Sequence, residues 1–187
     1  MAKDTILGIA KKSIEELLYN NNNKWIPNHD ILKNENLDRK QGVFVTLYED
    51  KSEQKLRGCI GIPFPKFSIG EAIAISARDS ASKDPRFKPV SREELSTIHI
   101  VVEILSEISP IVCSDLNSLK TQIKLGQDGL IVKYMDRSGL LLPDVPVKYN
   151  WDVEEYIYHL LIKARIPKNI EYNDHLEFFR FTSIIYK

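Results

Sequence analysis

Arg57 and Cys59 lie two residues apart in the run Leu56-Arg57-Gly58-Cys59-Ile60-Gly61 (LRGCIG). On a strand, residues i and i+2 share a face and sit roughly 7 Å apart. Arg57, Cys59 and Gly61 then point one way, and Leu56, Gly58 and Ile60 the other. A cation at that distance favours thiolate over thiol, so Cys59 is a candidate nucleophile and Arg57 a candidate stabiliser of its charge or of a bound anion. Such chemistry needs a base within hydrogen-bond reach, for which His99 or another histidine is the candidate. The competing reading is a cysteine that serves as a small buried apolar residue. Gly58 and Gly61 mark either a bulge or a place where a backbone or ligand comes close to the strand.

A second candidate segment is Asp84-Pro85-Arg86-Phe87. Pro85 biases Asp84 to an extended conformation, which fixes a loop carrying an acid and an arginine. Either Asp84 and Arg86 pair to lock the loop, or Arg86 faces the LRGCIG segment. In the second case Arg57 and Arg86 together would clamp a carboxylate or phosphate, with Gly58, Cys59, Gly61 and Asp84 beside it.

These segments are positioned by elements whose periodicity is legible. Gly42 to Tyr48 (GVFVTLY) and Lys55 to Ile62 read as two strands of a hairpin. Asp4 or Thr5 caps a first helix that the four asparagines at 20–23 stop. Residues 24–41 are polar and irregular, with Trp25 and Ile26 as anchors. Ser68 and Glu71 form a capping box before a helix with a small-residue stripe, and Ser91 and Glu94 form another before a short turn of helix. Ile98 to Leu105 reads as a strand, with His99 and Glu103 on one face. Ser114 caps a helix to about Lys124, with Cys113 as a structural residue before it. Leu130 to Met135 and Leu140 to Leu142 form a hairpin, and Pro143 and Pro146 end regular pairing. Asp152 opens a long helix with Glu155 three residues on, and Leu176 to Ile185 reads as one closing strand.

The 187 residues suit one domain, or one with a smaller lobe, and bury roughly 70% of the unfolded surface without a metal or disulfide staple. Lys+Arg and Asp+Glu are equal at 26 each, which argues against broad nucleic-acid binding. No apolar run approaches the ~20 residues of a membrane span, and the N-terminus lacks a signal-peptide core, so the expected location is cytoplasmic. Cys59 and Cys113 make no disulfide framework. No Gly-rich nucleotide loop, paired histidines or C-x-x-C is present, so no metal or cofactor is indicated.

LRGCIG, followed by GEA at Gly70–Ala72, DPRF at Asp84–Phe87, DGL at Asp128–Leu130, LLLPDVPV at Leu140–Val147 and WDVEEY at Trp151–Tyr156, resembles the AMMECR domain family. Its prokaryotic members are also called AmmeMemoRadiSam system protein A. The resemblance runs from about Gly42 to the C-terminus. One departure is Asp144, where many relatives carry glutamine, so that position carries little weight. The resemblance implies an α+β fold: a mixed or antiparallel central sheet packed with helices, in two subdomains. The LRGCIG strand would border a groove between them, and the smaller lobe would include parts of 24–41 and the C-terminal region. The family brings no settled activity. Its gene neighbourhoods imply Memo-type and radical-SAM proteins as partners. Three functions remain open: an anion- or peptide-binding module, a Cys59-dependent enzyme, and an accessory subunit of a Memo-type/radical-SAM modification system.

Overall fold

The structure is a computed structural model that describes residues 3–167, 170 and 175–187. It is an α+β fold with two antiparallel four-stranded sheets, each carrying its own helices. The chain divides into two compact units, one running to Leu105 and including Ile184–Lys187, the other Ser106–Ser183. Among the described residues no helix is long and apolar enough to cross a membrane.

In the first unit, α1 (Lys3–Asn20) is followed by the short α2 (His29–Asn34). Strand β1 (Val43–Tyr48) pairs with β2 (Leu56–Ile62), and helix α3 (Ile69–Ser82) precedes β3 (His99–Leu105). The sheet order is β2-β1-β3 and then β8 (Ser183–Tyr186). Alternation does the work in β1: Val43, Val45 and Leu47 are fully buried, and the intervening residues are half-exposed. Their core partners are Ile6, Ala10 and Ile14 of α1 and Ile69, Ile73 and Ala77 of α3. The Ser68–Glu71 capping box forms as expected and starts α3. Trp25 packs against this core, whereas Ile26, expected as a second anchor, is exposed. The irregular segment 24–41 contains α2, whose first amides are capped by Asn28.

Helix α3 lies unusually close to the hairpin. The Ser80 hydroxyl accepts the Ile60 N–H at 2.8 Å and donates to the Val45 carbonyl at 2.7 Å, so it bridges two facing residues of β1 and β2. Directly beside it, the Ser80 carbonyl occupies the space that a Cβ on Gly58 would need. Gly58 is therefore the residue that lets a helix backbone rest on the strand. Gly61 serves the Phe44 ring in the same way on the opposite face.

In the second unit the sheet order is β4 (Ser109–Ile111), β7 (Leu176–Phe181), β5 (Gly129–Tyr134) and β6 (Arg137–Leu141). Helices α4 (Leu116–Lys120), α5 (Asp144–Lys148) and α6 (Val153–Lys163) belong to the same unit. Leu160, Leu161 and Tyr156 of α6 bury against Leu130, Val132 and Phe178 of the sheet. Cys113 also packs against this core, and both cysteines are free thiols.

Two local expectations are corrected. Asp115, not Ser114, caps α4, because its carboxylate reaches the Ser118 N–H at 2.7 Å; the helix ends at Lys120. The closing segment is two strands in two sheets. The Thr182 N–H leaves the ladder for the Ser106 hydroxyl at 2.9 Å, and the chain changes sheets there. Pairing does end before Pro143, as expected, with the last β6 residue at Leu141; beyond it Pro143 precedes the helical turn α5 and Pro146 lies within its first turn.

Two glycines should respond oppositely to alanine. Gly8, on the exposed side of α1, has no atom within 4 Å of where a Cβ would sit. Gly8→Ala should stabilise the chain by about 1 kcal/mol, seen as a thermal midpoint roughly 2–4 °C higher. Gly58→Ala must push Ser80 off the strand and should destabilise by roughly 1–3 kcal/mol in denaturant titration.

Candidate functional site

Strand β2 is the edge of its sheet, and its pairing with β1 is not regular. Leu47 opposes Gly58, and the next β1 residue, Tyr48, opposes Leu56, so Arg57 is an extra residue at a bulge. A bulge re-aims the side chain it carries. The simple alternation that would set Arg57 beside Cys59 therefore fails. The guanidinium instead makes a two-point pair with Glu94, Nε to Oε1 at 2.7 Å and Nη2 to Oε2 at 3.2 Å, and Nη2 also reaches the Pro89 carbonyl at 3.3 Å. Glu94 in turn accepts the Ser91 N–H at 2.8 Å. Arg57 thus ties the bulge to the segment before β3, and it holds the Glu94 carboxyl below the usual range.

Cys59 faces Thr46 across the hairpin, and the Thr46 hydroxyl donates to its sulfur at 3.3 Å. The backbone of Cys59 points away from β1, toward the Asp84-Pro85-Arg86 loop. Its N–H donates to Asp84 Oδ2 at 2.8 Å, and its carbonyl accepts from Arg86 Nη2 at 3.4 Å. Asp84 also takes the Arg86 Nε at 2.9 Å and Nη2 at 2.6 Å, and the Arg86 N–H at 3.1 Å. The locking reading of this loop is realised, and Arg86 also reaches the LRGCIG strand at the Cys59 carbonyl; the clamp of Arg57 with Arg86 is corrected, because the Arg57 guanidinium is paired with Glu94. The Asp84 side chain is 2% exposed and that of Arg86 is 54% exposed. The guanidinium holds the Asp84 carboxyl well below its usual range despite burial.

Burial pushes the Cys59 thiol above its ordinary pKa; the Thr46 hydroxyl and Arg86 pull it down by less, and Asp84 and Glu103 push it up. The expectation of an Arg57-stabilised thiolate is corrected on both counts. The cation acting on the sulfur is Arg86, and desolvation outweighs it. His99 is not placed as a base for Cys59. It lies on β3 and pairs with Tyr48 of β1, two strand spacings or roughly 10 Å from β2, and its Nε2 lies 3.4 Å from Glu53 Oε1. Gly58 and Gly61 serve Ser80 and Phe44, as described above, so the close approach they allow is internal packing.

The structure therefore brings together Cys59, Asp84 and Arg86, and sends Arg57 and His99 to other partners. Thr46, Ser80 and Glu94 complete the arrangement. Thr46 could have been found by pairing the two strands residue by residue, whereas Ser80 was read only as part of a core stripe and Glu94 only as a helix cap. Among the described residues no three His, Cys, Asp or Glu side chains gather where a metal could sit.

Chains of similar sequence and architecture are known in archaea. The family model described as AMMECR1 matches residues 7–186. A protein of Methanocaldococcus jannaschii is 43% identical over 152 residues, covering 80% of this chain and 74% of its own. A protein of Thermococcus gammatolerans is 39% identical over 184 residues, covering 97% and 88%. The crystal structure of an uncharacterized protein from Pyrococcus horikoshii superposes with a TM-score of 0.84 at 36% identity, over 96% of this chain and 88% of that one.

Two measurements check the electrostatics. In a Cys113→Ser background, the alkylation rate of Cys59 should rise with pH through an inflection above the ordinary value of about 8.5. Arg86→Ala should move that inflection further up and Arg57→Ala leave it in place. Asp84→Asn should cost roughly 2 kcal/mol at neutral pH, the scale of a charged hydrogen bond. Since the folded-state pKa is depressed, that contribution is full above about pH 4, the unfolded value, and is lost as pH falls toward the folded one. The stability gap between wild type and Asp84→Asn should therefore narrow in acid.

Proposed function

The chain belongs to the AMMECR1 family, and from that premise we propose that it is a binding module, with Arg86 as the anchor for a carboxylate or phosphate on a small molecule or peptide segment. The ligand would lie in a groove lined by the Leu56–Gly61 strand. The observation that carries this reading is the state of Arg86. One edge of its guanidinium is fixed by Asp84 while more than half of the side chain remains in solvent. A planar donor held in one orientation loses little entropy when an anion arrives, and a two-point contact with carboxylate or phosphate suits its fork.

Arg57 takes no direct part in this proposal, because Glu94 holds one edge of its guanidinium as Asp84 holds that of Arg86, but the Arg57 side chain is only 12% exposed. The Cys59 thiol is a neutral wall beside the anchor. A Cys59-dependent enzyme is the weaker reading: burial disfavours the thiolate, and the pairing of β1 with β3 sets His99 out of reach. The accessory role that family context implies, alongside Memo-type and radical-SAM proteins, would use the same surface, with Arg86 meeting an acidic segment of the partner.

Calorimetry with inorganic phosphate, citrate and an acidic peptide tests the anchor, alongside capture of Memo-type and radical-SAM proteins from the same cell. Wild type should bind at least one probe, and Arg86→Ala should weaken it by at least about tenfold, or roughly 1.4 kcal/mol. Arg57→Ala should alter affinity less than Arg86→Ala does. Equal responses from wild type and Arg86→Ala would remove Arg86 from the site.

A further inference from the structure

We infer that the second unit carries a separate site for a small zwitterion, a molecule of amino-acid size bearing a carboxylate and an ammonium group. The site is a cleft of about 300 Å³ at the end of β7, walled by Glu107, Lys124, Gln127, Asp128, Arg180 and Thr182. That volume is at the lower end of ligand pockets, which excludes a dinucleotide and suits a small metabolite.

The argument rests on two charges that the fold leaves unpaired in one place. Arg180 lies on the same face of β7 as Leu176 and Phe178, the face that meets the helices, and is half-buried there. Its Nη1 donates to the Gln122 carbonyl at 3.1 Å. Asp128 is 5% exposed; its Oδ2 accepts the Lys124 N–H at 2.8 Å, which closes the turn before β5. Buried aspartate and half-buried arginine ordinarily find a counter-charge. Among the described residues neither Asp128 nor Arg180 takes part in an ion pair, and Lys124 does not either. Opposite charges that line the same cleft without joining leave room for a ligand that meets both. Arg180 and Lys124 would take the carboxylate; Asp128, with Glu107 at the rim, would take the ammonium. Gln127 and Thr182 add uncharged polar groups. A simple anion fits less well, because the walls carry two carboxylates as well as two cations.

Calorimetry on the full chain with the L-amino acids, followed by the deaminated and decarboxylated analogues of the best binder, tests the inference. At least one amino acid should bind with a dissociation constant below about 1 mM, and each single-charge analogue at least about tenfold more weakly. Asp128→Asn and Arg180→Gln should each reduce affinity by a similar factor. Lys124→Met, an exposed change that leaves the core untouched, should also weaken binding and provides a variant expected to fold normally. Analogues that bind as tightly as the amino acid, no amino acid binding below that concentration, or Lys124→Met binding as wild type would each overturn the assignment.

Discussion

Strand β2 lies at the margin of its sheet, so Cys59 turns its N–H and C=O away from β1 with no further strand to meet. Unpaired groups of that kind invite another chain to add a strand. Here they are answered from within: Asp84 accepts the Cys59 N–H and Arg86 donates to the Cys59 carbonyl, while on the β1 side the Ser80 hydroxyl joins the Ile60 N–H to the Val45 carbonyl. Each answer has a local prerequisite. Ser80 reaches the strand only because Gly58 has no Cβ, and Asp84 arrives because the chain turns immediately after α3 into a proline-constrained loop. The glycine, the helix register and the loop are one device, which joins β2 to β1 on one side and closes its outer edge on the other.

That device also decides the chemistry of the thiol. Closing the edge brings a carboxylate to the Cys59 amide, and the sulfur itself is partly buried; both effects disfavour the thiolate. Arg86 arrives with the same loop, but part of its field is spent on Asp84, only two residues away in sequence. Arg57 was nearer along the strand, yet a bulge of one residue was enough to send it to Glu94. Proximity in sequence thus gave the wrong cation, and hydrogen bonding to the strand edge gave the right one.

Much of the fold was legible because it follows from local rules. The capping boxes at Ser68–Glu71 and Asp152–Glu155 form, and the period-2 run of β1 buries the expected side. What escaped reading depends on partners distant in sequence. The split between β7 and β8 needs Ser106, 76 residues from Thr182; the apolar alternation through both strands gives no hint of it. β4 is three residues long and owes its existence to β7. At the candidate site, the residue types were readable and their pairings were not. An arginine's choice between a cysteine two residues away and a glutamate 37 residues away is made by tertiary structure.

Six charged side chains fall into two classes with different consequences. Arg57 with Glu94, and Arg86 with Asp84, are joined pairs that hold segments in place; only the outer edge of Arg86 remains to meet anything else. Asp128 and Arg180 are held by backbone groups instead, each by one hydrogen bond at 2.8 and 3.1 Å. A backbone partner fixes a charged side chain without neutralising it, so its field is still directed into the cleft. A joined pair has already surrendered most of its field to its own partner. Recognition through Arg86, as proposed, would therefore depend on geometry, a fixed fork with one edge open, whereas the recognition proposed for the cleft would depend on charge.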